Sequence, residues 1–222
     1  SPEFTMVEWY RHAFDLGRMM EETAAFISAL VEPQQLAAPP QFVDYHSAFR
    51  DHAGIDPAEA SLAALAESAG ADGRLIESLG DDRDAWLDLV LSLRVVPRFG
   101  AGSLTVLYHY PASQAALARR CPGDDSVADR FEIFYGDLEL ANGFVELQDA
   151  REQARRFAAD RETRARGNQR VHPPDERLLA ALASGLPRCA GVAVGFERLL
   201  MINEMTDDIR KVQTFPFDEE DG

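Results

Sequence analysis

Three short stretches of this 222-residue chain carry side chains suited to binding a charged, flat ligand. In the opening "PEFTMVEWYR", strand alternation puts Phe4, Met6, Glu8 and Tyr10 on one face, with Thr5, Val7 and Trp9 on the other. A carboxylate and a phenol beside an aromatic ring and a thioether suit a pocket for a ring and a cationic group. An edge strand with a wet end would show the same residues. In "LELANGFVEL", Glu139 and Glu146 lie seven apart, on opposite faces of a straight strand. A bend or bulge at Asn142-Gly143, two residues tolerant of positive φ, would return both carboxylates to one side. There they would hold Mg²⁺ against phosphate oxygens, although acids flanking a turn are commonly just solvated. In "GVAVGFER", Gly191, Ala193 and Gly195 leave one strand face nearly bare backbone, opposite Val192 and Val194. A ligand lying flat on a sheet needs such a surface, and so does tight helix packing. Arg198 follows at a strand-to-helix turn, placed to cover a ring or meet phosphate.

The elements that must position these groups follow from periodicity. Residues 2–11 read as a strand, and apolar residues from Leu16 to Leu30 recur at helical spacing. Residues 32–41 form a loop, and helices are expected over 57–69 and 81–94, joined by "GADGRLIESLG". The helical block at about 42–98 reads as an insertion. Strands follow at 104–111, 130–136 and 138–147, then an Arg-rich helix, a shorter one at 175–185, a strand at 189–196 and a helix at 197–205. The pattern is α+β with a largely antiparallel sheet.

Bulk properties narrow the partners. The net charge of −16 opposes a large nucleic-acid footprint, since phosphate neutralisation dominates that affinity. The run "REQARRFAADRETRARGNQR" reads as a solvated helix face with i,i+4 Glu–Arg pairs. Cys121 and Cys189 have neither metal-ligand nor disulfide-framework spacing. No membrane-length apolar run or signal-peptide layout is present, so the expected compartment is the cytoplasm.

Taken in order, the three stretches resemble the catalytic core of class II aminoacyl-tRNA synthetases, in the lysyl branch. "PEFTMVEWYR" is similar to the end of motif 2 (2–11), "FEIFYGDLELANGFVELQDAREQARRF" to the lysine- and metal-binding block (130–157), and "GVAVGFERLLM" to motif 3 (189–205). Within that branch the chain more closely resembles the elongation factor P lysine ligases, through "YHYPASQAALA", "ELANGF" and Ala193, where lysyl synthetases usually have Gly. The resemblance implies a class II synthetase-like antiparallel sheet flanked by helices. It implies ATP and Mg²⁺ as cofactors, lysine or β-lysine as substrate, and a lysine of elongation factor P as acceptor in place of tRNA. Phe4 would stack on adenine, while Glu8, Tyr10, Asn142, Glu146 and Ala193 would line the amino-acid pocket. Glu139, the Leu140 backbone, Gly195 and Arg198 would contact ATP. Glu139 and Glu146 would hold the metal, and Glu139 and Arg198 would act on the phosphates.

The chain departs from that pattern at its front. Motif 1, the family's dimer interface, and the first strand of motif 2 with its phosphate-binding arginine have no counterpart in the sequence. The expectation is a truncated form with impaired adenylation, without the family's homodimer interface. A lysyl-tRNA synthetase fragment and a non-catalytic binding module are the alternatives.

Overall fold

The computed structural model describes residues 3–216, so the part of the opening stretch contributed by Ser1 and Pro2 lies outside the described residues. In chain order the elements are β1 (Met6–His12), α1 (Leu16–Leu30), β2 (Gln41–Asp44), α2 (Tyr45–Ala53), α3 (Leu62–Ala69), α4 (Gly73–Leu79) and α5 (Arg83–Val90). They continue with β3 (Leu104–Tyr108), β4 (Arg120–Cys121), β5 (Asp124–Ala128), β6 (Arg130–Tyr135), β7 (Leu138–Val145), α6 (Ala150–Arg166), α7 (Glu176–Ser184), β8 (Cys189–Gly195) and α8 (Phe196–Asn203). Six strands form one sheet in the order β1-β8-β7-β6-β3-β2, and β4 and β5 form a small separate hairpin. Every pairing in the large sheet is antiparallel except β2 with β3. The α+β, largely antiparallel architecture is as expected.

The back of the sheet is apolar. Val7 and Trp9 of β1, Val192 and Val194 of β8, and Phe131 and Ile133 of β6 pack there with Leu16, Met19, Met20 and Ile27 of α1 and Leu199 and Ile202 of α8. Helix α1 has the bounds its spacing predicts, and Asp15 caps it by accepting from the Arg18 N–H. The front is covered at the β3–β6 end and, over Phe144 of β7, by Ala115, Ala118 and Ala128. At the β3–β6 end Leu107 and Phe134 join the core of the helical block, with Tyr45, Phe49, Leu65 and Trp86. Over β1, β8 and β7 the front carries the candidate site.

Several local expectations are corrected. The helical block does not begin at 42: Gln41–Asp44 is an edge strand, and the helices start at Tyr45. The expected 57–69 helix starts only at Leu62, where Ser61 caps it, and the supposed connector holds α4, capped by Asp72. The bulge is not at Asn142-Gly143, which pair regularly with Ala193 and Val192. It lies at Leu140, because Ile133 pairs with Ala141 while Phe134 pairs with Glu139. Asn-Gly tolerates a turn but does not require one. The reversal between β6 and β7 instead uses Gly136, at φ +57°. Gly143 is needed for a different reason. A Cβ there would stand 2.5 Å from Phe131 Cζ and 2.9 Å from the Gly191 carbonyl oxygen.

Gly143→Ala is therefore expected to lower the urea-unfolding free energy by about 1–3 kcal/mol through overpacking. An unchanged midpoint would contradict this close approach.

Candidate active site

The bulge decides which side chains reach the front. Leu140 and Ala141 both pack into the back core, so the alternation is reset across them. Glu139 then shares the front with Asn142, Phe144 and Glu146, the side on which the sequence argument required both carboxylates. On β8 the front residues are Gly191, Ala193 and Gly195, paired with Tyr10, Glu8 and Met6 of β1 respectively. The result is a trough floored by bare backbone, with chemistry at both ends.

At the Gly195 end, a cavity of about 350 Å³ is lined by Phe4, Met6, Glu139, Asn142, Ala193 and Arg198, among others. The Arg198 guanidinium donates to the Glu139 carbonyl oxygen at 2.5 Å and stands 3.5 Å from its carboxylate. It is about half exposed and so open to a ligand. Phe4 is 64% exposed, a large apolar ring with one side left to water. The Leu140 side chain is buried in the core, so only its backbone faces this cavity. A residue not foreseen, Glu197, ties the two motif segments together. Its carboxylate oxygens accept from the Thr5 N–H at 2.8 and 3.1 Å. Burial alone would raise its pKa, but this backbone donor holds it below the ordinary value.

At the Gly191 end, Tyr10 and Glu146 converge. A Cβ on Gly191 would lie 2.6 Å from Tyr10 Cε1 and 3.3 Å from Glu146 Oε1. Burial raises the Glu146 carboxyl from 4.5 to about 7. Burial also raises Tyr10, and the nearby Glu146 and Glu8 carboxylates raise it further. A phenol and two carboxylates gathered on this face would favour a cationic group beside them. Between the two ends, the Asn142 side-chain oxygen is buried and takes no hydrogen bond among the described residues, an acceptor awaiting a donor.

The predicted site residues other than Leu140, whose side chain lies in the back core, thus fall on one open face, in two subsites. Shared metal binding by Glu139 and Glu146 is not supported. Seven residues at about 3.3 Å each separate them by roughly 20 Å along the strand. Glu139 faces Arg198, and Glu146 faces Tyr10.

Sequence reasoning missed a second cavity of about 740 Å³ between the sheet and the helical block, lined by Asp84, Asp88, Tyr110, Arg130, Glu132 and Glu139, among others. At its floor Glu132 accepts from the Tyr110 hydroxyl at 2.6 Å and from Arg130 at 2.5 Å, and Arg130 lies over the Tyr110 ring. Burial raises Glu132, offset in part by Arg130. The available signal was "RFEIF", where Arg130 and Glu132 share a face of an otherwise apolar strand. No described helix is long and apolar enough to cross a membrane.

The raised Glu146 predicts a pH dependence of stability. Its folded pKa lies above the ordinary carboxylate value, so the folded state binds more protons than the unfolded. Stability should therefore fall as pH rises from about 4.5 to about 7 and level off above. Glu146→Gln should flatten that fall and leave the ligand-free chain more stable at pH 8. Unfolding curves of the two chains across this range that run parallel would refute it.

Comparison with known proteins agrees with this arrangement. The family described as tRNA synthetases class II (D, K and N) matches residues 1–219. The chain is 42% identical over 219 residues to proteins named elongation factor P–(R)-β-lysine ligase from Salmonella gallinarum and from Klebsiella pneumoniae. These matches cover 98% of this chain and 66% of each relative, so it spans slightly less than two thirds of their length. With the family match running through motif 2, the carboxylate strand and motif 3, the chain belongs to the class II tRNA synthetase family of the D, K and N type.

Proposed function

We propose that this chain carries the ATP and amino-acid subsites of a ligase that activates (R)-β-lysine and transfers it to a lysine of elongation factor P. The observation that carries the reading is the trough itself. A backbone floor over β8 joins a ring-and-phosphate subsite at Phe4, Glu139 and Arg198 to a carboxylate subsite at Glu8, Tyr10 and Glu146. The name of these relatives suggests the substrate and the acceptor.

Adenine would lie between the Phe4 ring and the Arg198 guanidinium, against the Gly195 backbone, where a side chain would meet Arg198. The ligand's ammonium group would sit against Glu146 and Glu8, with Asn142 accepting one of its protons. Holding both substrates on one floor sets the amino-acid carboxylate in line with the α-phosphorus. That carboxylate oxygen attacks phosphorus, the bond to the bridging oxygen breaks, and pyrophosphate leaves with the electron pair. The acceptor's neutral ε-amine then attacks the acyl carbon. AMP departs, and the nitrogen loses a proton as the amide forms. No protein nucleophile is used; Arg198 offsets phosphate charge in both steps. Mg²⁺, when bound with ATP, would neutralise the phosphates, and Glu139 would hold it. The net charge of −16 disfavours tRNA as the acceptor.

The test is β-lysine-dependent pyrophosphate–ATP exchange together with ATP binding by calorimetry. Arg198→Ala should weaken ATP binding and reduce exchange by about 10²–10³-fold. Ala193→Gly, which removes a methyl from the floor, should shift the preference between α- and β-lysine by roughly tenfold. ATP binding without exchange would instead favour a non-catalytic binding module. Undiminished ATP binding by Arg198→Ala would overturn the assignment of the nucleotide subsite.

A further inference from the structure

Away from the trough, His109, Cys121 and Asp129 bring one ligand atom each to within 4.8 Å of one another. We propose that they form a binding site for a zinc-class divalent cation, which fastens the β4–β5 hairpin to the end of β3. The donors are an imidazole nitrogen, a thiolate and a carboxylate oxygen, a set that suits a borderline-soft ion and leaves a fourth position for water.

The backbone holds these residues together from three separate segments. Asp129 N–H donates to the Arg119 carbonyl, His109 N–H to the Arg130 carbonyl, and Ala128 N–H to the Tyr110 carbonyl. His109 adopts φ +61°, uncommon for a residue with a side chain. Its Nδ1 stands 3.3 Å from Asp44 Oδ2, a carboxylate contact of the kind that orients metal-binding histidines. Asp129 is buried, and Arg119 donates through both Nε and a terminal nitrogen to the same oxygen, Oδ2. Oδ1, the oxygen that these Arg119 contacts leave aside, would face the cation.

Bonds of about 2.0–2.3 Å in a tetrahedron place ligand atoms roughly 3.3–3.8 Å apart, so the cluster must contract by ~1 Å. Cys121 can supply that movement, since it sits beside a register shift in a two-residue strand. The ligands' chain neighbours Tyr110 and Arg130 line the acidic cavity, so an ion here would also stiffen that cavity's wall. The inference does not depend on the proposed ligase activity.

The test uses the chelator-treated full chain titrated with Co²⁺ and then Zn²⁺. One equivalent of Co²⁺ should give a thiolate charge-transfer band that Zn²⁺ displaces. The band should vanish in Cys121→Ser and persist in Cys189→Ser. His109→Asn, chosen because Asn tolerates positive φ, should weaken Zn²⁺ binding by at least tenfold. Asp44→Asn, which keeps a helix-capping side chain, should weaken it by about 10–100-fold. Zn²⁺ should raise the thermal midpoint of the parent chain and not that of Cys121→Ser. No charge-transfer band, or a band that survives Cys121→Ser, would overturn the site.

Discussion

In β7 the chain places two consecutive residues, Leu140 and Ala141, against the same apolar back core, and everything on the open face depends on this. Strand alternation would otherwise put Glu139 and Asn142 on opposite sides of the sheet. The single register shift between Ile133 and Phe134 absorbs the extra residue. Burial of Leu140 is what makes the shift favourable, because the alternative would expose that side chain and carry Glu139 into an apolar core. One bulge therefore does two jobs: it completes the back core and it delivers a carboxylate to Arg198. Bulges near sites commonly re-aim a side chain in this way.

The neighbouring strand supplies the complementary feature. The back of β8 is valine and the front is almost bare, so the strand contributes to the core without obstructing the trough. Tight backbone approach has a cost in sequence freedom. Phe131 occupies the space beside Gly143, and Tyr10 and Glu146 occupy that beside Gly191. The glycines of this region are thus constrained by packing on one face and by the open floor on the other. The electrostatics follow the same division. Glu139 is paired with a half-exposed arginine, whereas Glu146 is half-buried and its carboxyl is raised to about 7 by burial. A cation brought beside it would favour its charged form and release a proton.

Much of this arrangement was legible in the sequence, because it is carried by strict two-residue alternation in segments with strong apolar partners. The face shared by Met6, Glu8 and Tyr10 and the bare face of β8 needed only that periodicity. The strand begins at Met6, however, not at residue 2, and Phe4 reaches the cavity from the segment before it. The bulge was expected but misplaced. Asn142-Gly143 has the local signature, yet burial of Leu140, a tertiary effect, sets the break. Residues 41–44 escaped notice because a four-residue edge strand has too little pattern to show alternation. Helix α4 was hidden by flanking glycines, although Asp72 supplies an ordinary cap. Two-residue spacing in "RFEIF" pairs Arg130 with Glu132, but Tyr110 and the His109–Cys121–Asp129 cluster join from separate segments, which no local spacing links.

The central claim is that one open sheet face holds a nucleotide at the Arg198 end and an ammonium group at the Glu146 end. The most direct measurement is a crystal structure of the chain with a non-hydrolysable β-lysyl-adenylate analogue. The account predicts adenine between Phe4 and Arg198, the acyl linkage over Ala193, and the ammonium against Glu146. An analogue bound in the reverse direction, or away from β8 altogether, would contradict it.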